Sequence, residues 1–271
     1  KMKGKKILSL LAMVSLSLSL SIKAGDEHNH VTIDQVNSSD NFNLSIEQIG
    51  YENLARFSFD HDNNTVNLLQ SGNHMYFGYT DSWGSGYSWG GDLDGLRNQI
   101  DVRQKCSTSA CNDNDFQFHV LGSDNKVIFG QGYENNNSVT PNWNYDGNEP
   151  GGNFVRLDIH GSNNTFKGSQ KMDSSNISHS ITANIYSDNN DVYVKQMQNG
   201  NKTFTMTIRN SDGNDVAVTQ KNSGAHTAVV NLLGTQPTDL ALIQSGDTNQ
   251  SYTLSQNCVT IGGCNITVTQ N

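Results

Sequence analysis

Apolar and polar residues alternate along this chain in bursts of six or seven, and burst after burst is framed by the same pair of amides. Asn190-Asp-Val-Tyr-Val-Lys-Gln196 and Asn214-Asp-Val-Ala-Val-Thr-Gln220 state the pattern: asparagine, two apolar residues at alternate positions, glutamine. A period of two sends successive side chains to opposite faces, so each burst predicts a half-buried β-strand and not a helix. The same spacing joins Asn29 to Gln35, Asn64 to Gln70, Asn98 to Gln104, Asn125 to Gln131 and Asn164 to Gln170.

The bursts recur at a near-constant interval. Gln170, Gln196, Gln220 and Gln244 are 26, 24 and 24 residues apart. Between them lies a second alternating set, Val155-Leu157-Ile159, Ile181-Ala183-Ile185, Phe204-Met206-Ile208 and Ala228-Val230-Leu232. Clusters such as Ser187-Asp-Asn-Asn-Asp191 separate the two, and Asn, Asp and Gly favour turns. One unit therefore reads strand, turn, strand, turn, and a fixed period of this length predicts stacked units. The fold class expected is all-β: a β-solenoid of strand–turn–strand repeats with two loop insertions.

Stacking gives the amides a purpose. Equivalent positions would lie about 4.8 Å apart along the axis, so inward amides can bond from turn to turn, whereas a lone buried amide is costly. The ladder positions expected are Gln35, Gln48, Asn53, Asn64, Gln70, Asn98, Gln104, Asn125, Gln131, Asn164, Gln170, Asn190, Gln196, Asn214, Gln220, Gln244, Gln256 and Gln270.

Composition narrows the setting. Lys3, Lys5 and Lys6 precede an apolar run from Ile7 to Leu20, with a small residue at Ala24, which reads as a secretory signal peptide over residues 1–24. The solenoid domain then covers residues 25–271. Loss of the five leader lysines leaves 12 basic against 26 acidic residues, a formal charge of −14. Such a chain repels nucleic acid, and no later segment is long enough to span a membrane. The protein is expected to be secreted, extracellular or at the cell surface. Cys106 and Cys111, and Cys258 and Cys264, form two close pairs, and an oxidising compartment favours local disulfides over crossed pairings or a metal site.

The strand ending in glutamine, followed by a Gly/Asn turn, resembles the curlin repeat of curli fibre subunits. Gln48-Ile-Gly50-Tyr-Glu-Asn53-Leu-Ala55 carries the resemblance most fully, and Gln244-Ser-Gly246-Asp-Thr-Asn249 repeats most of it. The resemblance implies secretion and self-assembly into amyloid-type fibres that mediate adhesion and biofilm cohesion. It departs from the family in its longer turns, its cysteines, the missing terminal Gln of the central second strands and two insertions.

The insertions, near 73–97 and 132–152, hold Trp83, Trp89, Trp143 and Tyr145. Loops on one face of a solenoid often bind ligands, and these aromatics suit either stacking on sugars or packing together as a cap or plug for the solenoid wall. A non-polymerising adhesin that binds surface polysaccharide is thus the alternative to a fibre subunit. Asp92, Asp94, Asp113 and Asp115 match no complete calcium loop, and His28 and His30 read as tail residues. No paired-carboxylate or nucleophile–base constellation can be placed, so neither an enzyme nor a cofactor is expected. The partners expected are further copies of the chain, with surface polysaccharide or a secretion pore as others. The closing strand Asn265–Gln270 has no charge or proline, and with its N-terminal counterpart His30–Gln35 predicts two open edges suited to stacking.

Overall fold

The computed structural model describes residues 19–26, 30–35, 41–50, 53–70, 76–77, 91–104, 115–130, 154–156, 158–171, 179–209 and 211–271. All of its regular elements are strands. In chain order they begin with β1 (Ser19–Asp26), β2 (His30–Gln35), β3 (Asn43–Gly50), β4 (Leu54–Asp60), β5 (Thr65–Leu68), β6 (Tyr76–Phe77), β7 (Gly91–Asp94) and β8 (Gln99–Asp101). The middle of the chain supplies β9 (Asp115–Gln117), β10 (His119–Leu121), β11 (Lys126–Ile128), β12 (Phe154–Arg156), β13 (Ile159–His160), β14 (Thr165–Lys171) and β15 (His179–Ser180). The last third holds β16 (Asp191–Met197), β17 (Lys202–Thr205), β18 (Asp215–Gln220), β19 (His226–Leu232), β20 (Thr238–Gln244), β21 (Gln250–Gln256) and β22 (Cys264–Gln270).

These strands form a β-solenoid with two parallel sheets. The first sheet runs β1-β3-β5-β8-β11-β14-β16-β18-β20-β22, and the second takes the intervening strands, with β2 and β21 at its ends. Register is kept from turn to turn: Asp191 pairs with Asp215 and Asp215 with Asp239, while Lys202 pairs with His226 and His226 with Gln250. Among the described residues no helix is long and apolar enough to cross a membrane.

Alternation becomes columns. Val66, Ile100, Val127, Phe166, Val192, Val216 and Leu240 stack on the inner face of the first sheet, each at most 2% exposed. Bulk is traded between adjacent turns, as where Phe204 pairs with Ala228. The sharpest trade is Phe129 against Gly168, where a Cβ added at Gly168 would stand 2.3 Å from the Phe129 ring. At the corner before each Asn, one residue per turn is left-handed: Asn63, Arg97, Asp124, Asn163, Asn189 and Gly213 all have φ between 56° and 73°. The preceding bend is tighter still. A Cβ on Gly122, at φ 111°, would meet the carbonyl oxygen of Gly161 at 2.1 Å, so only glycine fits.

Described strands also run into both the first insertion and the stretch read as a leader. Tyr76 and Phe77 pair with Leu54 and Ala55, and Gly91 resumes the register opposite Phe57. The first insertion is therefore residues 78–90, standing where the adjacent turn has only Arg56, and Asp92 and Asp94 belong to strand β7 rather than to a loop. Residues 19–24, read as the end of a leader, lie in β1 beside β3.

Replacing Gly168 by Ala is expected to destabilise the fold by about 1–3 kcal/mol through overpacking. Combining it with Phe129→Leu should recover part of that loss in a double-mutant cycle read by urea unfolding.

Candidate assembly surface

Two amide ladders of different construction run through the core among the described residues. In the first, asparagine works through the backbone. Asn164 Oδ1 accepts both the backbone N–H and the Nδ2 of Asn190, at 3.0 and 2.8 Å, and Asn190 Oδ1 receives Asn214 in the same way, at 3.0 and 2.7 Å. The pattern extends back through Asn125 and Asn98 to Asn64. It ends where Asn214 Oδ1 accepts the backbone N–H of Thr238 at 2.8 Å. The spare Nδ2 hydrogens close the corner on backbone carbonyls such as those of Gly95, Gly122 and Gly161.

In the second ladder glutamine bonds to glutamine. Gln170 donates to Gln196, Gln196 to Gln220, Gln220 to Gln244 and Gln244 to Gln270, at 2.7–2.9 Å. The second N–H crosses the interior to the other sheet, from Gln196 to the Ser180 carbonyl, Gln220 to Thr203 and Gln244 to Thr227. The longer side chain is needed because it spans the gap between sheets. Gln104 donates to Gln70 and Gln70 to Gln48, in the opposite direction. Gln170 Oε1, next to the point of reversal, is buried without a hydrogen-bond partner.

Other expected ladder residues lie differently. In register Gln35 pairs with Phe59 and Gln256 with Leu232, so both lie on strands of the second sheet, whereas the glutamine ladder follows the first. They share the sequence pattern but occupy the other wall. Asn53 is buried at the corner that opens the second sheet. Cys258 and Cys264 are joined, with sulfurs 2.01 Å apart, across the turn between β21 and β22. Gln131, Cys106, Cys111, Trp83, Trp89, Trp143 and Tyr145 lie outside the described residues.

The Asn53 corner holds residues the alternation did not single out. His179, Lys202, His226 and Gln250 follow one another there turn by turn. Lys202 is wholly buried. Its ammonium donates to the carbonyl oxygens of Asn199, Gly200, Asn222 and Gly224, within 2.9 Å, and so gathers two turns at one point. Burial pushes its pKa down to about 8 from 10.5. Burial also lowers the His226 pKa, against the pull of the Lys221 carbonyl and with the Lys202 charge adding to the fall. The sequence signal was the fixed spacing of six from Gln196 to Lys202 and from Gln220 to His226.

The last turn is built like the others but is covered on one side only. Tyr252, Leu254, Ile266 and Val268 are only partly buried, whereas the equivalent Ala228, Val230, Leu240 and Leu242 are at most 2% exposed. β21 and β22 end their sheets, and among the described residues no strand lies beyond them. No protein-family model, curated protein or solved structure matches the chain.

Lys202→Met leaves several buried carbonyls without a donor and should cost about 3 kcal/mol in urea unfolding. The folded pKa of Lys202 lies below its unfolded value, so the unfolded chain holds more protons between about pH 8 and 10.5. Wild-type stability should therefore rise relative to Lys202→Met as pH increases through that window.

Proposed function

We propose that this protein is a secreted structural subunit of a curli-like extracellular fibre or biofilm matrix, which grows as copies stack end to end. The half-covered last turn carries the reading. Its apolar positions Tyr252, Leu254, Ile266 and Val268 await another layer, and Gln270, the last glutamine of its ladder, lies beside them. Edge strands of this length and apolar content are templates for further pairing.

The phase of the two ends supports the same reading. Without residues 1–24 most of β1 is absent, which leaves β2 and β21 as edge strands of the second sheet and β3 and β22 as edge strands of the first, among the described residues. An arriving copy can then lay its β2 on β21 and its β3 on β22, with every strand position filled. With β1 retained, one position in the second sheet would be skipped at the junction.

Val268→Pro, or Ile266→Lys with Val268→Lys, should abolish thioflavin-positive filament growth of the chain lacking residues 1–24, while its β-sheet circular dichroism persists. Growth of these variants at the wild-type rate would sink the stacking model. Discrete rods from the unaltered chain, seen by negative-stain microscopy, would do the same.

A further inference from the structure

The outer face of the second sheet carries a cluster that fibre assembly does not use. The register Val120 to Ile159 places His119 beside Asp158, and His160 follows one position on from the inward-facing Ile159. Outer positions of a solenoid wall normally face water, yet Asp158 is only 3% exposed. The His160 ring stacks on Tyr186 at 4.6 Å and meets the His119 ring edge-on at 5.1 Å.

The two oxygens of Asp158 are treated differently. Oδ2 accepts the Tyr186 hydroxyl at 2.6 Å and the Asn184 amide at 3.3 Å. Oδ1 is turned to two imidazoles, with His160 Nε2 in ion-pair contact at 2.6 Å and His119 Nδ1 3.7 Å away. A buried carboxylate oxygen held between two imidazole nitrogens is a set of donor atoms that one shared cation would satisfy. All three atoms lie within 4.8 Å of one another, close enough to share one ion.

The backbone is bent to complete this arrangement. Ile185 and Tyr186 are consecutive non-glycine residues with φ of 132° and 78°, a combination that is unfavourable, most of all for the β-branched Ile185. Strain of this kind collects at functional sites. Here it accompanies the placing of the Tyr186 hydroxyl on Asp158 Oδ2, which leaves Oδ1 turned to the imidazoles.

We propose that His119 Nδ1, Asp158 Oδ1 and His160 Nε2 bind one divalent transition-metal ion of the zinc class. Two imidazoles and one carboxylate suit a borderline ion over calcium or magnesium, which take oxygen ligands. Three protein ligands leave further coordination to water. Tyr186 and Asn184 hold the second carboxylate oxygen and so fix the ligand's orientation, as outer hydrogen bonds do in metal sites. The group Asp60, His61 and Asp94 differs in offering one imidazole and two carboxylates, with the His61 and Asp94 side chains about half exposed to solvent.

The test uses the full chain carrying His28→Ala and His30→Ala, which removes the tail imidazoles. Zinc titration by calorimetry should give one equivalent per chain, and cobalt substitution should give visible ligand-field bands. Asp158→Asn and His160→Ala should each abolish both signals. Tyr186→Phe should weaken zinc about tenfold, and His61→Ala should leave the signals unchanged. Zinc should also raise the thermal midpoint of the parent chain but not of His160→Ala, which separates loss of the site from loss of the fold. Zinc binding that survives both His119→Ala and His160→Ala, or that disappears with His61→Ala, would overturn the assignment.

Discussion

A buried amide needs a partner, and in this protein it finds that partner one turn away. That requirement governs the rest. Each glutamine must sit opposite the next in register, so turns between ladder positions are held near 24 residues, and where residues are added they fall in places such as 78–90 that leave the register intact. Parallel pairing follows, because only parallel in-register strands put like residues above like. The left-handed residue before each asparagine follows too, since the side chain has to turn inward at a corner and return its oxygen to the next backbone N–H. An isolated inward amide would cost more than an apolar residue in its place; a column of them supports every member.

The apolar columns supply cohesion but a looser specification. Phe129 against Gly168 and Phe204 against Ala228 show bulk exchanged between adjacent turns. Lys202 is the opposite case. It replaces an uncharged corner residue with a cation, and only the carbonyls of two successive turns make its burial tolerable.

Much of this architecture was legible because the repeat states it many times over. Asn190 to Gln196 and Asn214 to Gln220 are enough to indicate strand, inward face and period. What escaped notice has physical reasons. Gln35 and Gln256 carry the motif but sit on the second wall, and alternation within a strand does not reveal which wall it joins. Lys202 looks like a solvent-facing residue until four carbonyls are found around it. His119, Asp158 and His160 are scattered in sequence by the long second insertion, so their meeting depends on a register of 39 residues where the later turns of the first sheet have 24 or 26.

The reversal in the glutamine ladder has a mechanical meaning. From Gln170 onward the amides donate toward one end of the rod, and from Gln104 backward toward the other. The ladder dipoles point away from a central seam, where the Gln170 oxygen stands without a donor. A rod pulled along its axis would not share the load evenly among its turns. At that seam the side-chain ladder adds least, and the load passes to the backbone pairing of β11 with β14 and to the asparagine column, whose direction never changes.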